Sequence, residues 1–547
     1  MSHFMHRVPR ILRLGASLLL LAGGACAAQA STASSAPSAA GLDAAARAHP
    51  LAFLDRIGWG ADPEQLRQLR EQGATRLLDA QLRPDPDPAL PPQLKQSLAA
   101  LPVNAPLEQI IPPLVEQRRQ IRMSGGVTGS AAAGEAGDAQ ARLKALRQHM
   151  NALTRQAMAQ QLLLAVYAPN QLQQRLSWFW MNHFNVFHGF LVGPMMADYQ
   201  MRVIEPHALG HFRDLLRATM FSPQMLLYLN NAQNARGHIN ENYARELMEL
   251  HTLGVGSGYT QADVTSLAHA LTGLGVDLAG RPVRVRPAWR GLLWQRGLVV
   301  FNPARHDGAP QVVLGHTLQG DSVDEMEQVV DLLADDPATA KHLCLELARY
   351  FVADRPDPAM VAAMVRSWQR SDGDIAAVLR TMYMSPQFAA SLASPQFKDP
   401  MRYVISSVRA GLAGPRLIRN PQPMLGALAA LGEPLFGRST PDGYPVGAAA
   451  WDGSGAMTTR FRIAQQFGAG APALFGEPPP YLREDDLALA QARPKGPRGP
   501  APELARSPVY LAAEPGLSGA TRQVLAQAGP RVRWNALWLA SPEFMNQ

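Results

Sequence analysis

Apolar and polar positions follow a helical period along most of the chain, with proline and glycine between the runs. Apolar residues recur three and four positions apart in 139–167 and again in 322–388, which predicts helices with one buried face. The run 171–187 is apolar nearly all round and includes Trp178 and Trp180, so we expect a central helix covered on most sides. The pattern changes to β-branched runs at Leu298-Val-Val-Phe301. We predict a mainly α protein, a large multi-helix globular body with a small β-hairpin or sheet insertion near residues 283–314.

Capping residues indicate where several helices begin. Asp62 followed by Pro63 is typical of an N-cap with proline at the first helical position. Thr260 with Asp263 three residues later predicts a capping box. Ser222-Pro223 separates two short helices within 212–229.

The stretch from Asn240 to Gly254 predicts a helix with two unlike faces. Its polar side chains are spaced three and four apart and share one face: Glu241, Asn242, Arg245, Glu246 and Glu249. The opposite face is apolar except for His251, for which a core position is the simpler interpretation. Asn230, Asn231, Gln233 and Asn234 crowd the segment just before it. The polar face is either a solvated surface with ion pairs or the wall of a polar pocket, where buried carboxylates need donors.

The N-terminus is typical of a secretory signal peptide over residues 1–30. Arg7, Arg10 and Arg13 precede an apolar run too short to span a bilayer, and Ala28-Gln29-Ala30 fits a cleavage site. We therefore expect export to the periplasm or the extracellular space. A lipoprotein anchored at Cys26 ranks second, because the residues before that cysteine lack the large aliphatic residue of a lipobox.

The remaining chain divides by composition. We predict a flexible linker at 31–47, a mainly helical body at 48–475, a proline-rich linker at 476–508 and C-terminal helices at 509–547 that complete the same domain.

Charge and cysteine usage exclude several classes of protein. Cleavage after residue 30 removes three arginines and lowers the formal charge from +7 to +4, and no basic cluster is interleaved with aromatic residues, so a nucleic-acid partner is not expected. No later apolar run is long enough for a transmembrane helix in the mature chain. Cys344 would be the single remaining cysteine, and its helical context predicts a buried, inert thiol.

The polar helix and an aromatic helix before it supply the candidate catalytic groups. Glu246 or Glu249 could pair with His183 if the two helices pack together, which would give a group able to perform general acid/base catalysis. Arg245 could then steady developing negative charge. The same residues could equally form a structural clasp, because ion-pair networks shift pKa values without catalysing anything.

Further polar residues are candidates for binding: Asn182, Asn240, Asn242, His306 and Asp307. The sequence identifies no cofactor. A divalent metal is a further hypothesis, since Glu246 and Glu249 lie one turn apart, but that spacing is common in helices and no His-Glu-x-x-His motif or cysteine pair accompanies it.

Several segments, in order along the chain, resemble the bacterial family described as domain of unknown function (DUF) 1800. They include Phe179-Trp-Met-Asn-His-Phe184, Glu249-Leu-His-Thr-Leu-Gly254, Pro441-Asp-Gly-Tyr-Pro445 and Leu539-Ala-Ser-Pro-Glu-Phe544. The resemblance implies an exported, mostly helical protein without an established activity, and a partner protein similar to the alkaline phosphatase and sulfatase superfamily. The chain departs from the family pattern at Asn230, where an acidic residue is common, and at Leu274, where tryptophan is usual.

Two functions remain open from the sequence. One is an acid/base hydrolase or lyase acting on envelope or extracellular polymer. The other is a noncatalytic secreted binding or assembly protein that acts beside a partner. The resemblance carries no catalytic residue from the family to this chain.

Overall fold

The computed structural model describes residues 38–125, 133–189, 191–414, 416–482 and 501–546. The predicted signal peptide, the first part of the predicted linker and residues 483–500 of the proline-rich linker lie outside these ranges. The described residues form one compact unit.

The N-terminal third of the described chain is helical. They are α1 (Ala39–Ala48), α2 (Pro50–Ile57), α3 (Pro63–Gln72), α4 (Ala74–Gln81), α5 (Pro92–Ala99), α6 (Leu107–Gly125), α7 (Ala133–Tyr167) and α8 (Gln171–His183), with 3-10 turns at Pro102–Asn104 and Gly193–Met195. Helix α1 occupies most of the stretch predicted as linker 31–47, because Ser38 caps its first turn and Leu42 and Ala46 are buried. Asp62 accepts a hydrogen bond from the backbone of Gln65, as its capping role predicts.

The middle of the chain contains two helices that change from α to π geometry. In the first, α9 (Met196–Asp198) continues into a π-helix at Tyr199–Ile204 and a 3-10 turn at Glu205–His207. In the second, α12 (Asn242–Glu246) continues into a π-helix at Leu247–His251. Between them lie α10 (Phe212–Met220), α11 (Pro223–Tyr228) and a 3-10 turn at Asn231–Gln233, and α13 (Gln261–Ala270) follows the second. Thr260 and Asp263 form the predicted capping box at the start of α13. The predicted helix at 240–254 therefore exists, but its second half is wider than an α-helix.

A small β insertion follows. It comprises β1 (Leu274–Val276), β2 (Trp294–Arg296), β3 (Val299–Phe301), β4 (Gln311–Val313) and β5 (His316–Leu318), with a 3-10 turn at Pro287–Trp289. An antiparallel sheet has the order β1-β3-β2, in which Phe301 faces Leu274 on one side and Trp294 on the other, while β4 and β5 form a hairpin. The alternating residues 283–286 form no strand.

Helices return for the rest of the described chain. They are α14 (Asp324–Asp335), α15 (Pro337–Phe351), α16 (Pro358–Arg370), α17 (Ile375–Tyr383), α18 (Pro386–Ser391), α19 (Pro400–Arg409), α20 (Gln422–Ala430), α21 (Ser454–Gly468), α22 (Pro508–Ala513), α23 (Gly519–Ala526), α24 (Arg531–Leu539) and α25 (Pro542–Met545). Short 3-10 turns lie at Ala448–Ala450, Pro472–Phe475, Pro480–Leu482, Leu504–Arg506 and Glu514–Gly516. The mainly α prediction with small antiparallel sheets is confirmed. Within the described ranges, every helix is too short or too polar to cross a membrane.

The core contains helix α8 and a network of buried charges. Helix α8 is buried along almost its whole length, as its pattern predicts. Lys398 lies 3.1 Å from Asp55, and Arg402 lies 2.8 Å from Asp399, all with nearly covered side chains. The guanidinium of Arg460 stacks over two aromatic rings at 4.5 and 4.7 Å, which stabilises a cation away from water. The Lys398–Asp55 pair joins α2 to the segment just before α19, and Arg460 joins α21 to α19 through the ring of Tyr403.

Candidate functional site

A pocket of about 290 Å³ opens where four distant segments meet. Its walls come from the end of α8, the π-helix after α12, the first half of α15 and the loop 438–446. The polar side chains that line it are Asn182, His183, His342, Glu346, Asp442 and Tyr444, and the apolar lining includes Phe179 and Leu250. Three of the four segments contain motifs that carry the family resemblance, so these motifs converge in space.

Asn182 fixes the loop 438–446 against the end of α8. Its side-chain oxygen accepts a hydrogen bond from the backbone N–H of Tyr444 at 2.6 Å, and its amide donates to the Tyr444 carbonyl at 2.8 Å. Asn185 donates to the carbonyls of Arg438 and Thr440 at 3.1 and 2.8 Å. Gly443 packs directly against Asn182 with φ of 68°, a conformation and a space that suit glycine. These bonds hold the loop that carries Asp442 against the end of α8, so that Asp442 and His183 line the same pocket.

Two imidazoles form one side of the pocket. The rings of His183 and His342 lie 6.2 Å apart, and Nε2 of His183 lies 3.1 Å from the carbonyl oxygen of His251. Burial and the neighbouring His342 lower the pKa of His183 to about 3, so its imidazole is neutral at physiological pH. His342 approaches the backbone closely at Gly254, where a Cβ would lie 2.9 Å from its Nδ1.

His251 lies behind the pocket in the core. It is fully buried between His183 and Phe184, with ring centroids at 6.1 and 5.1 Å. Burial lowers the pKa of His251 well below its ordinary value. Neither ring nitrogen has a hydrogen-bond partner among the described residues. His251 is therefore a neutral core residue, as its position on the apolar face predicts.

Two carboxylates, Asp442 and Glu346, also line the pocket. Arg438 contacts Asp442 at 2.7 Å, and Thr440 donates a short hydrogen bond to it. Burial works against the charged form of Asp442, but these partners outweigh it and its pKa lies below the ordinary value. Glu346 is held by Arg349 at 2.7 Å, one turn along α15. Asp442 is therefore an ionised acceptor at neutral pH.

Glu246 and Glu249 do not line the pocket, but Glu246 lies close enough to Asp442 to interact with it electrostatically. Burial raises the pKa of Glu246, and the charges of Glu249 and Asp442 raise it further. Tyr228 borders the same carboxylates, and burial together with Glu246 and Asp442 raises its pKa to about 12. Asp442 thus lines the pocket and also interacts with Glu246, and these two carboxyls have pKa values shifted in opposite directions.

The other predicted residues of the polar helix make local contacts. Arg245 donates to Glu241 at 3.0 Å and to Gln261 at 2.9 Å, which joins α12 to α13. Asn240 accepts from the backbone of Asn242 at 3.0 Å, and the Asn242 amide donates to the Leu229 carbonyl at 3.1 Å. None of these three side chains lines the pocket. The hydrogen bond of His183 goes to the His251 carbonyl, and neither Glu246 nor Glu249 supplies it.

His306 and Asp307 belong to a separate buried network. His306 lies 2.9 Å from Glu325, with both side chains about 2% exposed or less. Burial disfavours the imidazolium, but Glu325 and the Thr272 carbonyl outweigh it and raise the pKa of His306 above its ordinary value. Asp307 accepts from His269 at 2.7 Å. These groups join α13 and α14 to the β insertion and do not line the pocket.

The described residues contain no group of three or more His, Cys, Asp or Glu side chains arranged to hold a metal ion. Cys344 is fully buried, and burial raises its pKa to about 12, which agrees with the prediction of an inert thiol.

Four polar pocket residues were absent from the sequence-based candidates: His342, Glu346, Asp442 and Tyr444. The first two lie at i and i+4 on α15, a spacing that places them on one face, away from the apolar stripe around Cys344. That spacing could have identified His342 and Glu346 as candidates from the sequence. Asp442 lies between Pro441 and Gly443, and these neighbours explain it locally as a turn residue, so the sequence gives no sign of its place in the pocket.

Comparison with known proteins supports the resemblance and adds no activity. No curated protein and no solved structure matches the chain. A family model described as "Protein of unknown function (DUF1800)" matches residues 52–546, a span that contains every residue of the pocket. The chain therefore belongs to the DUF1800 family.

Proposed function

We propose that the pocket is the acid/base site of an exported hydrolase or lyase that acts on envelope or extracellular polymer. The observation that carries this proposal is the meeting of two imidazoles and two carboxylates, from three segments, around one small pocket, with Glu246 in electrostatic interaction with Asp442. Such convergence of titratable groups in a hollow is typical of catalytic sites.

Asp442, which lines the pocket, serves as the general base, and Glu246, whose carboxyl interacts with Asp442 although it does not itself line the pocket, serves as the general acid. The arginine beside Asp442 keeps it ionised, whereas burial and like charges favour the protonated form of Glu246. In hydrolysis, Asp442 takes a proton from a water molecule while the oxygen of that water bonds to the reacting carbon. The carbon–oxygen bond to the leaving group breaks, and Glu246 gives a proton to the leaving oxygen. In elimination, Asp442 takes a carbon-bound proton, the carbon–oxygen bond breaks, and Glu246 protonates the leaving oxygen.

The neutral imidazole of His183 positions the substrate. His183 carries no charge at physiological pH, and because its Nε2–H donates to the His251 carbonyl, its Nδ1 can accept a hydrogen bond from a substrate hydroxyl. Glu249 raises the pKa of its neighbour Glu246. Arg438, which pairs with Asp442, is the cation beside the site, whereas Arg245 is held by Glu241 and Gln261. A pocket of about 290 Å³ suits one ring-sized group of a polymer, near the lower end of ligand-pocket volumes.

The test compares Asp442→Asn and Glu246→Gln with a matched control, Glu71→Gln, an exposed glutamate on α3. The purified protein is incubated with peptidoglycan and a panel of neutral and uronic-acid polysaccharides. New reducing ends report either reaction, and absorbance of an unsaturated product identifies elimination. Loss of a general acid or base lowers kcat about 10²–10⁴-fold. Full activity in both variants, or none in the unaltered protein on every polymer, contradicts the proposal.

Export is part of the proposal and rests on the arginine-led apolar N-terminus. Fractionation of the producing cell, with N-terminal sequencing of the exported protein, tests it. The expected first residue is Ser31, while retention in the cytoplasm contradicts it.

The alternative function is noncatalytic binding or assembly beside a partner similar to the phosphatase and sulfatase superfamily. The amide side chains favour it, because Asn182, Asn185 and Asn234 all hydrogen-bond backbone groups and act as internal struts. Under this alternative, Asp442→Asn alters loop stability and copurification of the partner, while no polymer is cleaved by any variant.

A further inference from the structure

A second pocket lies on another part of the body. It measures about 410 Å³ and is bounded by the π-helix Tyr199–Ile204, the helices α10 and α11, the start of α6 and the β2–β3 turn. Its volume falls within the range of about 300–1,000 Å³ found for small-molecule sites. It shares no lining residue with the candidate active site.

Aromatic rings supply part of its lining. Trp294 and Phe221 pack edge to face, with centroids 5.5 Å apart. The guanidinium of Arg217 lies 5.3 Å from the Phe221 ring. Trp294 is only partly buried although it lines the pocket, so a large apolar surface remains open to a ligand.

The arginines of this pocket are already matched by carboxylates. Arg202 contacts Asp198 at 2.9 Å, and Arg217 contacts Glu327 at 2.6 Å. A free anion would have to compete with these carboxylates for the same donors. Arg202 and Arg217 are therefore both engaged by carboxylates, and neither of them selects an anionic ligand.

The charged lining groups that make no ion pair in the described ranges have both signs. They are Arg296, Glu108 and Asp214, and all three are exposed. One cation and two carboxylates around an aromatic surface can donate to and accept from hydroxyl groups in several directions. Their mixed charge favours a polar ligand without a strong net charge.

We infer that this pocket binds a neutral oligosaccharide. A sugar ring has an apolar C–H face, which suits Trp294, and a rim of hydroxyls, which suits Arg296, Glu108 and Asp214. Because the two pockets share no lining residue, this binding does not depend on the candidate active site.

Isothermal titration of the full chain with maltotriose, cellotriose and chitotriose tests the inference. We expect at least one trisaccharide to bind the unaltered protein, and we expect its dissociation constant to be at least tenfold higher in Trp294→Ala. Trp289→Ala is the matched control, because Trp289 lies in the same insertion and does not line the pocket. Asp442→Asn should leave the affinity unchanged.

Two further variants keep the test decisive if Trp294→Ala fails to fold. Arg296→Ala and Asp214→Asn change exposed side chains, and each should weaken the same trisaccharide severalfold. Failure of all three sugars to bind overturns the inference, as does equal affinity in the Trp294 and Trp289 variants. Binding of inorganic phosphate that displaces the sugar would identify an anion site instead.

Discussion

The substitution Gly443→Ala probes the contact that holds the active-site loop in place. Gly443 has a φ of 68°, and a Cβ there would lie 2.8 Å from the side-chain oxygen of Asn182 and closer still to its carbonyl oxygen. An L side chain in the left-handed region costs about 1–2 kcal/mol. Forcing an extra carbon into a packed contact costs about 1–3 kcal/mol. The native loop should therefore lose about 2–5 kcal/mol of stability.

Two measurements follow this loss. Urea unfolding gives the change in free energy of the whole protein, and hydrogen–deuterium exchange of the segment 438–446 detects local release of the loop. The backbone N–H of Tyr444, now protected by Asn182, should exchange faster in the variant. If the loop opens by itself, exchange rises while global stability changes little.

Gly426→Ala is the matched control. Gly426 lies in helix α20, is exposed, and a Cβ there would meet nothing within 4 Å. Replacing a helical glycine by alanine stabilises by about 0.5–1 kcal/mol. Unchanged exchange of segment 438–446 and unchanged stability in Gly443→Ala would refute the argument that this glycine is required.

Two buried ion pairs give further predictions. The pKa of His306 is raised in the folded protein, so its stabilising contribution is complete below about pH 6.5 and is lost as pH rises through the folded pKa. The stability difference between the unaltered protein and His306→Gln/Glu325→Gln, measured by urea unfolding, should shrink from pH 6 to pH 8, and a difference that grows contradicts this sign. Lys398→Met leaves Asp55 buried without its 3.1 Å partner and should destabilise the folded protein by about 3–5 kcal/mol. The double variant Lys398→Met/Asp55→Leu should recover part of that loss. Equal destabilisation of both variants in thermal unfolding would contradict the role given to this ion pair.

Local signals predicted the fold well where one segment carries the information. The caps at Asp62 and Thr260 mark helix starts because the bonded partners lie three residues away. The apolar pattern of α8 predicted a central helix. By contrast, residues 283–286 alternate like a strand but form none, because strand formation needs a neighbour to pair with. The change to π geometry at Leu247 was not visible in the spacing of polar residues.

The site was predicted only in part because it is built from distant segments. His183 and Asn182 line the pocket, whereas Glu246 is linked to it only through its electrostatic interaction with Asp442. The partner expected for His183 was one of those glutamates, whereas the fold brings a backbone carbonyl to its ring. His306 and Asp307 had equally suitable chemistry, yet they pair with groups of another network. Residue type identifies candidates, and tertiary packing decides which of them meet.

The π-helix Leu247–His251 imposes a length constraint on the chain. Thr252 donates to the carbonyl of Leu247 at 2.7 Å, which closes the wide turn. Each residue of a helix advances its direction by about 100°. Loss of one residue here would let α12 continue as a regular α-helix and would swing Leu250 and His251 round by about that angle. Insertions in the surface loops leave the pocket wall intact, whereas deletion of one residue in this turn would displace that wall.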